Sequence, residues 1–330
     1  MSSAQTLPAS ASAKPQPPRS RVWLTRFAWV VLVYNVPVIL WGAVVRATGS
    51  GAGCGDHWPL CNGVLIQAHP RLATMIELSH RVSSAVTVFA ILALLIWTFL
   101  ATPRRHLARI ATIASAVFVF NEALLGALLV LLGLTANNDS PERAFYLSLH
   151  LANTLLLLAA VALSAHFLSR RSAFQRGSLR FRHIALVILG LAATLMVGVT
   201  GTLAALGDTL FPATSLRTAF SQDMSQHSSW LIRLRVVHPA SALIAGAFIA
   251  LLVVRTVFQG SRPADRRLGI AVLLLLLLQY GLGLVDVALL TPVWIQVTHL
   301  LGADLLWITL VILAARVCIQ ERKIPAIALP

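Results

Sequence analysis

Charge is what this 330-residue chain has least of: 11% of its residues are Asp, Glu, Lys or Arg, and only 11 are acidic against 26 basic. A soluble domain normally carries about a quarter charged residues, so a sizeable soluble domain is excluded. Cysteine is nearly as scarce, with only Cys54, Cys61 and Cys318.

What fills the chain instead is hydrocarbon, with 58% of residues hydrophobic. A membrane-spanning helix needs about 20 apolar residues. Eight such runs occur, at 24–45, 76–100, 108–132, 145–168, 183–205, 233–255, 267–290 and 294–316. The expected fold is an all-α polytopic membrane protein whose eight helices form two pseudo-symmetric four-helix bundles. The expected division is a disordered cytoplasmic tail (1–23), an N-terminal bundle (24–170), a cytoplasmic linker (171–182), a C-terminal bundle (183–316) and a second tail (317–330).

A net charge of +15 invites a nucleic-acid reading, but the basic residues alternate along the chain with the spans. Nineteen of the 26 fall in the N-terminal segment, the even-numbered links and the C-terminus. By the positive-inside rule that face is cytoplasmic, with both termini inside a cell inner membrane. No small-residue cleavage site follows a short apolar core, so the first helix reads as retained rather than as a removed signal peptide.

This topology brings His80, His150, His238 and His299 to one depth near the outer leaflet, each about one turn inside a span. Ionisable residues there are rare and usually face a bundle interior. In an up-down bundle, helices 2 and 4 are diagonal neighbours, as are 6 and 8, so each histidine pair faces across a core. The halves also resemble one another. Glu122-Ala-Leu-Leu-Gly126 corresponds to Gln279-Tyr-Gly-Leu-Gly283, and His150-Leu151 to His299-Leu300. His80 and His238 are 158 residues apart, and His150 and His299 are 149 apart.

A lone intramembrane histidine commonly serves helix packing, but four in register favour two bis-histidine metal sites. His57, His69 and His227 in outer loops, and His106, His166 and His183 near the inner face, read as ordinary solvated or interfacial residues. Zinc or copper would want further ligands that the second half lacks, whereas haem brings four equatorial nitrogens and needs only axial ones. Glu77-Leu-Ser-His80 has the Glu-x-x-His spacing of a di-iron site. Such a site needs a second motif, and the residue three before His150 is Leu147.

The halves differ where chemistry would sit: Glu77 precedes His80 by three residues, whereas Arg235 precedes His238 by three, and residues at i and i+3 share a helix face. A carboxylate beside one site can act as a base or stabilise developing positive charge. Arg235 suits haem propionates, and Arg81 is a second candidate propionate contact. In the first outer loop, Cys54 and Cys61 face an oxidising compartment within a Gly-rich stretch, where a disulfide would be either a staple or a redox pair. Cys318 reads as an inert packing residue. Glu122, Asp286 and Asp304 lie within spans, and the sequence assigns them no role.

Over most of residues 24–316 the chain resembles the haem A synthase family, the CtaA-like membrane enzymes. The resemblance rests on Gly42-Ala-Val-Val-Arg46-Ala-Thr-Gly-Ser-Gly51, on Cys54 through Trp58-Pro59-Leu-Cys61-Asn-Gly63, on Glu77-Leu-Ser-His80-Arg81, and on His150, His238 and His299. It implies an enzyme that converts the C8 methyl of haem O to the formyl group of haem A. His80 and His150 would flank the substrate haem O, His238 and His299 would ligate haem b, and Glu77 would be the catalytic carboxylate. Cys54 and Cys61 match the pair in members with an outer-loop disulfide. The partners implied are haem O synthase, oxidase assembly factors and membrane lipid, with no nucleic acid. Two rivals from other classes are a non-enzymatic bis-histidine di-haem cytochrome and a small-solute transporter of two repeats.

Overall fold

A computed structural model describes residues 19–64, 68–170, 181–258 and 263–318. The helices are α1 (Arg19–Ala47), α2 (Leu72–Ala101), α3 (Leu107–Leu131), α4 (Pro141–Leu168), α5 (Phe181–Leu210), α6 (Leu216–Met224), α7 (Trp230–Leu234), α8 (Val237–Val253), α9 (Pro263–Ala288) and α10 (Val293–Cys318). Eight stretches are long and apolar enough to cross a membrane, α7 and α8 together making the sixth, Trp230–Val257. Apart from an isolated bridge between Cys61 and Val64, the described residues contain no β structure. The chain is a multi-pass membrane protein.

The spans run a few residues beyond the hydropathy boundaries, because helix geometry continues into the interface where the composition has already turned polar. α1 is the clearest case: it starts at Arg19, so residues 19–23, expected in a disordered tail, are helical. The rest of that tail lies outside the described residues, as do most of the 171–182 linker and of the C-terminal tail. Local signals set several ends. Ser140 caps α4 by accepting from the Arg143 amide, with Pro141 at the first helical position and Glu142 in the first turn. His106 caps α3, its Nδ1 accepting from the Ala108 amide at 3.2 Å.

The first four spans pack as a closed ring of neighbours, α1 on α2, α2 on α3, α3 on α4 and α4 back on α1. In the second half α5 packs on α8, α9 on α10 and α10 on α5, while α4 and α10 join the halves. Tight apolar contact fills the middle. Leu24, Ile91, Leu94, Leu158 and Val161 are fully buried in one cluster that Trp307 of α10 enters, its indole N–H donating to the Leu155 carbonyl at 2.7 Å. Ile249, Val253, Val272, Leu306 and Leu310 form a second cluster between α8, α9 and α10. Outside, Phe89, Leu100, Ile244 and Leu284 are more than 70% exposed. Such a surface would aggregate in water, and in a bilayer it is the ordinary lipid-facing side.

Candidate functional site

Glycines decide how close the four histidines come to their neighbouring helices. A Cβ on Gly42 of α1 would lie 3.0 Å from Cε1 of His80, and one on Gly201 of α5 would lie 2.9 Å from Cε1 of His238. Likewise Gly126 of α3 faces His150 and Gly283 of α9 faces His299, at 3.8 and 3.5 Å. Each ring is therefore seated against a helix where no side chain stands in its way. Gly42 and Gly201 are 159 positions apart and Gly126 and Gly283 are 157 apart, in step with the 158 between His80 and His238. The spacing of the seating glycines thus follows the spacing of the histidines.

His238 and His299 are brought together, their ring centres 6.3 Å apart and their planes at 88°. Metal–imidazole nitrogen bonds of about 2 Å on each side place two rings roughly 6 Å apart across one ion. His80 and His150 lie within electrostatic reach of each other. Nδ1 of His80, His150 and His299 is buried without a hydrogen-bond partner, while His238 Nδ1 lies 3.3 Å from Thr200 Oγ1. Among the described residues no group of three or more His, Cys, Asp or Glu side chains is arranged to hold a bare metal ion. The facing imidazoles of His238 and His299, without further ligands beside them, fit a group that carries its own equatorial nitrogens, so these residues fit haem, and His80 and His150 repeat their placement against a helix glycine.

Glu77 sits one turn before His80 and is only 3% exposed. It is far from unsatisfied: Oε2 accepts from the Cys54 amide at 2.8 Å, and Oε1 accepts from Arg81 Nη2 at 2.5 Å. Arg81 also donates to the loop carbonyls of His57 and Leu60, at 2.7 and 2.9 Å. Cys54 and Cys61 are joined as a disulfide and are almost wholly buried. Gly53 lets that loop lie on the start of α2, because a Cβ there would collide with the backbone of Ala73 and Thr74 at 2.5–2.6 Å. Gly49, Gly55 and Gly63 all take left-handed φ values, so the Gly-rich stretch makes the turns that seat the loop. Loop, disulfide, Glu77 and Arg81 are one polar unit covering the His80 end of α2.

Arg235, the counterpart of Glu77, is held by Asp208 Oδ1 at 2.9 Å, Gln222 Oε1 at 3.1 Å and Asp223 Oδ1 at 3.6 Å. Gln222 and Asp223 belong to α6, a short helix between α5 and α7 that hydropathy alone could not reveal. Burial pushes the Asp223 carboxyl above its ordinary value, and the Arg235 guanidinium offsets part of that rise. Two further positions have contacts that the residue-level reading did not assign. Arg46 of α1 crosses to the second half, donating to Ala205 O, Thr209 Oγ1 and Gln296 Oε1 at 2.8–2.9 Å. Glu122 of α3 meets Asn153, Thr154 and His150 of α4. A charged residue inside a span was the available signal for both.

A family model described as COX15-CtaA, cytochrome oxidase assembly protein, matches residues 25–311. The chain belongs to the COX15-CtaA family. Among relatives, a protoheme IX farnesyltransferase of Thermus thermophilus is 43% identical over 295 residues, which is 88% of this chain and 48% of that protein. A heme A synthase of Exiguobacterium sp. is 40% identical over 104 residues, 32% of this chain and 35% of that protein. One of Geobacillus kaustophilus is 34% identical over 145 residues, 44% and 42% of the two chains. The chain thus spans about half the length, or less, of the curated relatives it matches.

Proposed function

We propose that this chain is a haem A synthase, oxidising the C8 methyl of haem O to a formyl group by successive hydroxylation and dehydration. The observation that carries the reading is the inequivalence of two otherwise matching histidine sites: a buried carboxylate, Glu77, stands one turn before His80, and an arginine, Arg235, stands in its place before His238. Relatives named heme A synthase support it. The farnesyltransferase name attaches to a Thermus protein of which more than half lies outside the match, so that name gives no activity to the matched part.

His80 and His150 hold the substrate haem O in the N-terminal bundle (24–170), and His238 and His299 hold haem b in the C-terminal bundle (183–316). The oxidation releases four electrons and four protons, and His238 and His299 would hold the haem b that would supply a one-electron relay for an external acceptor. Glu77, fixed by the Cys54 amide and Arg81, is the base that would take a proton released as each C–H bond of the methyl gives up its electrons and is replaced by a C–O bond. Arg81, whose guanidinium also serves Glu77 and the loop carbonyls, is the candidate propionate contact of the first site. Arg235, between Asp208 and Asp223, orients the propionate side of the second site. The bundles lie in the cell inner membrane with both termini cytoplasmic and the histidines toward the outer leaflet. Haem O synthase and oxidase assembly factors are the expected partners.

Mass spectrometry of haems extracted from the purified protein, made with and without a supply of haem O, tests the reading. Haem A, or its hydroxylated precursor, should appear only with that supply. Two equivalents of unmodified haem b under both conditions would instead favour a di-haem cytochrome.

A further inference from the structure

Glu122 is a carboxylate within a span to which the proposed reaction gives no task, yet it faces a candidate axial ligand. Asn153 Nδ2 donates to its Oε2 at 2.5 Å and Thr154 Oγ1 to its Oε1 at 2.5 Å. Both donors stand on α4, the helix that carries His150, so they fix the carboxylate in register with that ring. Oε1 lies 3.5 Å from His150 Nδ1, a buried nitrogen with no hydrogen-bond partner among the described residues. The second half breaks this arrangement at every position. Gln279 replaces Glu122, and Gly302 and Ala303 replace Asn153 and Thr154. Gln279 Nε2 and His299 Nδ1 are both buried without partners.

We infer that Glu122 is a positioning residue that accepts the Nδ1–H of His150 and makes that ring the more electron-rich axial ligand of the two sites. This inference rests on the haem reading above. A metal-ligating histidine typically gives its second N–H to a carboxylate or carbonyl, which fixes the tautomer and raises ligand basicity. Greater basicity stabilises the oxidised iron, so the first-half haem sits at the lower potential. A neutral amide at Gln279 leaves the second at the higher one. Electrons taken from the substrate side then run downhill toward His238 and His299, the direction that an oxidation in the first half requires.

The full-length protein, loaded with protohaem at both sites in detergent, is titrated anaerobically and followed by its optical spectrum. Glu122→Gln should raise the lower of two midpoints by about tenfold in the oxidised-to-reduced equilibrium, 59 mV for one electron, and leave the other in place. A merely structural Glu122 would change haem occupancy or melting temperature while both midpoints stay put, and that result overturns the inference. If Glu122→Gln does not fold, Glu122→Asp, which keeps the charge but withdraws it from His150 Nδ1, decides in its place, and an unmoved lower midpoint counts against the inference. A wild-type chain that binds no haem defeats the underlying haem reading, whereas two bound haems with unmoved midpoints defeat only the role of Glu122.

Discussion

At the scale of single residues, Glu77 is defined by what holds it. A carboxylate this buried needs hydrogen-bond donors, and it has two: a backbone amide next to the disulfide and a guanidinium that is itself tied to loop carbonyls. Glu77→Gln keeps an acceptor for the Cys54 amide and removes the charge opposite Arg81. Losing a positioned acid–base group typically costs 10²–10⁴-fold in rate, so the variant should retain haem while its conversion of haem O falls by about that factor. Extracted haems quantified at fixed times measure it, and unchanged conversion would strip Glu77 of its role. The sequence placed Glu77 on the His80 face by i, i+3 spacing. It did not reveal the clamp, because the docking of the 49–63 loop onto α2 is a tertiary contact with no local periodicity.

Helices were the most legible elements, since runs of about 20 apolar residues have few alternatives to a membrane span. What the runs could not tell was where backbones approach. Gly42 and Gly201 give that answer, and they give a prediction. Gly42→Ala drives a methyl against the His80 ring, and Gly201→Ala does the same to His238. Each should lower haem content at its own half and spare the other, read as stoichiometry by pyridine haemochrome; equal loss from both would mean a general packing defect. The cap of α3 yields a second prediction. Burial first, then Arg21 and Arg109, hold His106 below the ordinary histidine value. Arg21 reaches both His106 Nε2 and the Arg170 carbonyl, joining α1 to the ends of α3 and α4. Above a pH of about 6.5 the ring is neutral in both folded and unfolded chains, and nothing is lost. As pH falls below that value the unfolded chain takes up the proton more readily, so stability declines toward the folded-state pKa. His106→Asn keeps a good N-cap and should flatten the dependence of melting temperature on pH in this range; an identical slope would show that other groups set it.

For the molecule as a whole, the eight spans were legible in the hydropathy, but the way α1 is fastened to α5 and α10 was not. The repeat assigns Arg46 the counterpart Ala205, and nothing in either local sequence says that the two positions meet. In the fold they do: Arg46 donates to the Ala205 carbonyl, to Thr209 one turn on, and to Gln296 at the start of α10. Asp208 and Asp286 lie within its electrostatic reach, and Asp208 in turn holds Arg235 one turn before His238. A single guanidinium thus connects the helix that seats His80 with the polar cluster behind His238. Truncating one member of a buried charge network leaves its partners uncompensated, at about 3–5 kcal/mol. Arg46→Met should therefore destabilise the protein strongly, while changing the substrate-contacting residues not at all. Asp208→Asn removes the charge that Arg46 balances, so the double variant should be less destabilised than the single effects predict together, with a coupling of about 0.5–3 kcal/mol. Denaturation in detergent of the four proteins of that cycle measures the coupling, and strict additivity would mean that Arg46 acts through its hydrogen bonds to Ala205, Thr209 and Gln296 alone, independently of the Asp208 charge.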